Sequence, residues 1–180
     1  MMLNMDDTAL VIVDVQGKLA FQVDRSIDVL ENLKILIKAA RLYELPVVMV
    51  EQCPRDLGAT VPEIKGLLPD VEPAEKNTFN ACQSEDFLSR VQQSGKKQLL
   101  VAGIEAHVCV YQTVAGLLQH DFQVYVTSDA VSSRTAWNRD TALARMRELG
   151  AVITTTEMAL FELVKIAAGE RFRQFIQIVK

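Results

Sequence analysis

Cysteine is scarce in this chain. Three stand in 180 residues, Cys53, Cys82 and Cys109, an odd number with no Cys-x-x-Cys pair. That argues against a disulfide scaffold and against a zinc ribbon, and free thiols suit a reducing compartment, so a cytoplasmic location is expected. Histidine is scarcer still, with only His107 and His120. Without a His-x-x-x-His pair or a Cys/His cluster, no metal site is expected. Positive charge is not in excess: 19 Lys and Arg face 23 Asp and Glu, a formal net charge of −4. The nearest thing to a basic patch, Lys96-Lys97, reads as a solvated loop, and nucleic acid is not an expected partner. No apolar run approaches the ~20 residues that span a bilayer, so a membrane is not expected either. Residues Met1 to Asp7 lack the basic stretch and apolar core of a secretory leader. Neither Gly-x-Gly-x-x-Gly nor Gly-x-x-x-x-Gly-Lys-[Ser/Thr] occurs, which argues against a nucleotide, and no cofactor is expected.

What is present is core-forming material, 49% hydrophobic against 23% charged. The length suits one domain, taken as residues 1–180. Thr8 to Asp14 is an almost unbroken apolar run rich in β-branched residues, the pattern of a strand buried on both faces. Ile27, Leu30, Leu33, Ile37 and Ala40 recur at helical spacing from Ser26, a candidate N-cap, to Tyr43. Val47–Val50, Gln98–Ala102, Val124–Thr127 and Val152–Thr155 read as further strands. Helices are expected over Ser84–Ser94, Ala106–Gln119, Asn138–Leu149, from Thr156 as its cap to about Ala167, and over the amphipathic stretch Glu170–Val179. Gln52 to Thr78 holds four of the five prolines and reads as a long loop with one short helix, the kind of loop that carries function. Alternating strands and helices predict an α/β fold, a three-layer α/β/α sandwich around a mostly parallel sheet of five or six strands. In such folds the site lies at the carboxyl ends of the strands, here near Asp14, Glu51, Gly103–Cys109 and Ser128-Asp129.

Cys109 falls about one turn into the helix after Gly103. There, backbone amides and the helix dipole favour an anion, and a thiol so placed is expected to have a lowered pKa. The alternative is a small buried helix residue. Asp14 ends an apolar strand, where a carboxylate is either paired, used, or a cap for the next loop. Lys76, taken alone, is a solvated loop residue. His107 is two residues from Cys109, a spacing that turns the two side chains apart in a helix. His120 reads as a helix C-cap.

Three segments together resemble the isochorismatase-like (cysteine hydrolase) superfamily: Val13-Asp14-Val15-Gln16, Lys76-Asn77-Thr78-Phe79, and Gly103-Ile104-Glu105-Ala106-His107-Val108-Cys109-Val110. The loop Glu51-Gln52-Cys53-Pro54-Arg55-Asp56-Leu57-Gly58 is similar to that of the short isochorismatase domain-containing proteins, and the likeness extends to Thr113, Asp129 and Glu157. The resemblance implies a triad in which Cys109 is the nucleophile, Asp14 takes its proton, and Lys76 gives electrostatic support. It implies a cis peptide at Ile104–Glu105 and an oxyanion hole from the backbone amides of Glu105 and Cys109. By motif position Gln16, Phe21 and Phe79 stand near the substrate. The Asp-x-His-x-His metal site of the nicotinamidase branch has no counterpart in Glu51-Gln52-Cys53-Pro54. The expected activity is metal-independent hydrolysis of a small amide or related acyl or carbamoyl compound, in a homo-oligomer, dimer or tetramer. The competing expectation is a non-enzymatic scaffold that acts as a binding module. A redox-sensing thiol is a third reading and needs a second cysteine near Cys109.

Overall fold

The computed structural model describes residues 2–180; Met1, where the reading of the N-terminus starts, lies outside them. The elements run β1 (Thr8–Val13), α1 (Ser26–Leu42), β2 (Val47–Gln52), the short helices α2 (Pro54–Leu57) and α3 (Pro62–Lys65), β3 (Ala74–Lys76), α4 (Glu85–Gln93) and β4 (Gln98–Ile104). A π-helical turn (Ala106–Val110) then leads into α5 (Tyr111–Gln119), followed by β5 (Gln123–Ser132), α6 (Ala136–Glu148), β6 (Val152–Thr154), α7 (Thr156–Val164) and α8 (Glu170–Val179). Six strands form one parallel sheet in the order β3-β2-β1-β4-β5-β6. The expected three-layer α/β/α fold is therefore present.

The continuous apolar strands are continuous because both faces are covered. Every residue of β1 and of β4 is buried. Alternate side chains feed two cores. Leu10, Ile12, Met49 and Leu100 pack with α1, α7 and α8, while Ala9, Val11, Val48 and Leu99 pack with α4, α5 and α6. The amphipathic C-terminal helix closes the first core: Phe175 is fully buried and stacks edge-on against Phe161 and Tyr43. Burial of such a ring stabilises by about 1.5–3 kcal/mol.

Four local expectations need correction. Lys76 is not in a loop; it ends β3, whose three residues pair with Val50, Glu51 and Gln52. The N-cap of α1 is Arg25, in a left-handed conformation, and Ser26 is the first helical residue. At α7 the cap is Thr155, whose hydroxyl accepts from the Met158 amide. β5 is more than twice its expected length, because a register break against β4 lets Val126 to Val131 face only Val101 to Gly103. That bulge carries Asp129 to the start of α7. Its Oδ1 accepts from the Thr156 amide at 2.8 Å and the Thr156 hydroxyl at 2.9 Å, so this carboxylate holds a helix end.

The order of strands positions the site. From β1 the chain moves outward to β2 and β3, then returns to lay β4 on the other side of β1. The crevice outside the carboxyl ends of β1 and β4 is the topological switch point, the favoured place for a ligand in an open α/β sheet. The two strands approach closely there. Gly103 has φ +126°, and a Cβ on it would lie 2.1 Å from the Val13 carbonyl oxygen, so only glycine fits.

Candidate active site

Asp14 is the first residue beyond β1. Its backbone is left-handed, φ 51°, a conformation that Asp tolerates better than most residues. Its amide donates to the Val50 carbonyl, and the turn aims the carboxylate along the sheet edge. Lys76 reaches it from the end of β3: Nζ donates to Asp14 Oδ2 at 2.7 Å, and the lysine side chain has no exposed surface. The other oxygen, Asp14 Oδ1, is buried without a hydrogen-bond partner among the described residues. Cys109 enters from the π-turn after β4 and is 7% exposed. π-Turns are rare and concentrate at functional sites. The thiol is close enough to Asp14 and Lys76 for each to act on its ionisation. The structure thus brings together three residues that lie far apart in sequence.

The thiol's ionisation runs against the expectation of a lowered pKa. Burial pushes Cys109 up to about 12, the Asp14 carboxylate adds to the rise, and Lys76 only partly offsets it. Dipole reasoning from helix position omitted both the desolvation and the neighbouring carboxylate. Asp14 is itself raised above the usual carboxylate range by burial, against the lowering pull of Lys76. The resting arrangement is therefore a neutral thiol in hydrogen-bonding reach of the Asp14 carboxylate.

Sequence reasoning missed Gln52. This buried residue ends β2, and its Oε1 accepts from Lys76 Nζ at 2.6 Å while standing 3.9 Å from Cys109 Sγ. An ammonium has only donors, so the amide oxygen must be the atom that faces it. Gln52 Nε2 donates to Cys53 Sγ at 3.3 Å, which completes the clamp on the carboxamide. The signal available was a polar residue at the carboxyl end of a strand whose first four residues are apolar.

Asp14 and Cys109 open into a cavity of about 120 Å³ whose remaining walls are largely apolar, with Leu19, Leu57, Ile104 and Val108 among them. Of the residues placed near substrate by motif, Phe79 lines this cavity and Phe21 does not; Phe21 is 53% exposed, and its turn contributes Leu19 instead. Gln16 lines the cavity, but its carboxamide is fully engaged. Oε1 accepts from the Gln52 amide at 2.7 Å, and Nε2 donates to the carbonyls of Gln52 and Gly58. It braces the loop after β2, and both of its amide hydrogens are spent on backbone carbonyls. A larger concavity of about 450 Å³ lies outside Cys53–Asp56 and Asn77–Thr78, but neither Asp14 nor Cys109 lines it.

Glu105 follows the cis Ile104–Glu105 peptide. Its carboxylate accepts from the backbone and side chain of Arg134, both at 3.0 Å, and its carbonyl accepts from the amides of Val108 and Val110. Two other candidates face away. Glu51 Oε1 accepts from the amide and hydroxyl of Thr60, each at 2.6 Å. His107 pairs with the Ser133 hydroxyl at 2.9 Å and Asn138, on the side of α6. Thr113 accepts from the Ala81 amide and so steadies the segment that presents Phe79. All three cysteines are free, and no group of His, Cys, Asp and Glu among the described residues is arranged to hold a metal ion.

The isochorismatase domain family matches residues 8–158. Isochorismatase family protein 1B of Dictyostelium discoideum is 33% identical over 180 residues, spanning 97% of this chain and 87% of its own length. Three solved structures share the fold over nearly the whole chain. MAR1 ribonuclease from Caenorhabditis elegans matches with a TM-score of 0.90 and 33% identity, over 99% of this chain and 92% of that one. YcaC from Pseudomonas aeruginosa, solved with hexane-2,5-diol and covalent acrylamide, matches at 0.91 and 30%, over 98% and 91%. YcaC from Escherichia coli, an octameric hydrolase of unknown specificity, matches at 0.90 and 28%, over 99% and 87%. Motifs, sheet order and these likenesses agree: the chain belongs to the isochorismatase family and has its hydrolase fold.

Proposed function

We propose that the protein is a metal-independent cysteine hydrolase of small amides or related acyl and carbamoyl compounds. The observation that carries this is the buried Asp14 carboxylate, held by Lys76 and set beside a buried neutral thiol. In this reading Cys109 Sγ attacks the carbonyl carbon while its proton passes to Asp14. The oxyanion forms against the backbone amides of Glu105 and Cys109. The C–N bond breaks, the amine leaves with the proton from Asp14, and a thioester remains. Water then attacks the thioester, giving its proton to Asp14, and the acid departs as the thiolate regains a proton. Lys76 keeps Asp14 oriented and offsets negative charge throughout. The acrylamide held covalently by the P. aeruginosa neighbour supports amide-sized electrophiles.

The octameric E. coli neighbour supports a homo-oligomer. No helix among the described residues is long and apolar enough to cross a membrane. The free thiols suit a cytoplasmic location.

The direct test is a screen of small amides for ammonia release. Turnover by the native chain is expected; a screen in which no amide or carbamoyl compound is cleaved contradicts the proposal. Gln52 gives a second test. Gln52→Leu removes an acceptor from Lys76 and from the thiol, so kcat should fall by about 10²-fold with little change in KM. An unchanged kcat in steady-state assays would show that the Lys76–Gln52 contact is structural only.

A further inference from the structure

From the size and charge of the cavity we infer the substrate class: a small, uncharged, aliphatic primary amide, with amides that bear a carboxylate rejected. This inference rests on the hydrolase reading and narrows it.

Size comes first. The cavity measures about 120 Å³, whereas sites for drug-sized ligands run to roughly 300–1,000 Å³. A cavity well below that range takes a small amide and excludes a drug-sized one. Beyond the reacting end the substrate meets Leu19, Leu57, Ile104 and Val108, with Phe79 at the mouth. The two carboxamides in the wall, Gln16 and Gln52, are already committed to partners. Such walls favour a short alkyl chain over a polar substituent.

Charge is the second constraint. The ionisable residues in the wall besides the thiol are Asp14 and Glu105, both acidic. The cations nearest them are engaged. Lys76 Nζ is shared between Asp14 and Gln52, its side chain has no exposed surface, and it does not line the cavity. Arg134 Nε is held on Glu105 Oε1. A carboxylate on the substrate would meet the Asp14 carboxylate at the reacting end, a penalty that a neutral amide does not face.

The test uses the native chain and two matched comparisons. Succinamide and succinamate have the same number of heavy atoms and differ in charge. The inference predicts a kcat/KM at least about 10²-fold higher for succinamide. Acetamide, propionamide, isobutyramide and nicotinamide form a size series, in which the three aliphatic amides should exceed nicotinamide. Phe79→Ala should narrow that gap by widening the mouth, and Leu57→Arg should narrow the gap between succinamide and succinamate by supplying a cation. Equal or faster cleavage of succinamate, or nicotinamide as the best substrate of the native chain, overturns the inference while leaving the hydrolase reading intact. If no amide is cleaved and Cys109 takes up no acyl group, the hydrolase reading falls and the inference falls with it.

Discussion

Cys109→Ala should lower amide turnover by about 10⁴-fold or more, since no other group at the cavity can form the thioester and loss of a covalent nucleophile removes most of such a rate enhancement. The fold should survive, because the change deletes one sulfur from a position already bordering a cavity. Ammonia release and thermal unfolding measured together separate the two effects. Turnover within tenfold of the native rate would mean that chemistry runs through another group, and the account would have the wrong nucleophile.

Asp14→Asn should produce a paired result that only a proton-accepting role explains. Turnover should drop by about 10²–10⁴-fold, the usual contribution of a general base. The thiol should nevertheless ionise more easily. Burial is the largest cause of its rise to about 12, and the Asp14 carboxylate is the next. Asparagine removes that charge and leaves Lys76 nearby, so the Cys109 pKa moves down. Iodoacetamide labelling followed on the Cys109 peptide across pH reads this directly. Activity should also mark Asp14 in the native chain. Only its carboxylate accepts a proton, and burial holds its pKa above the ordinary carboxylate value. The rate therefore falls on acidification at a pH above that at which an exposed aspartate titrates. A variant with native activity, or a thiol that ionises later than in the native chain, would remove Asp14 from the proton path.

The parts of this molecule that could be read from sequence are those where burial dictates composition. β1 and β4 are covered on both faces, and their unbroken apolar runs show it. β3 was unreadable because two of its three residues, Glu75 and Lys76, are charged, and it exists as a strand only through pairing with β2. The extra length of β5 is a tertiary matter too, arising where the register with β4 breaks. Motif position located Asp14, Lys76 and Cys109, and the fold brings them to one edge. It could not give side-chain direction. Phe21 turns outward while Leu19 turns in, and Gln16 spans to the backbone of Gln52 and Gly58. Gln52 escaped notice because a glutamine at a strand end has no distinctive spacing; its meaning comes from Lys76, 24 residues on. The thiol was misjudged for a similar reason. The helix position was visible in sequence, but the carboxylate beside it and the depth of burial were not.

The most direct measurement is the mass of the Cys109 peptide after acid quench during turnover of a small amide. The account predicts a fraction carrying the mass of the acyl group, present in the native chain and missing in Cys109→Ala. Steady amide cleavage with that peptide never acylated, or with the acyl group on Cys53 or Cys82 instead, would contradict it.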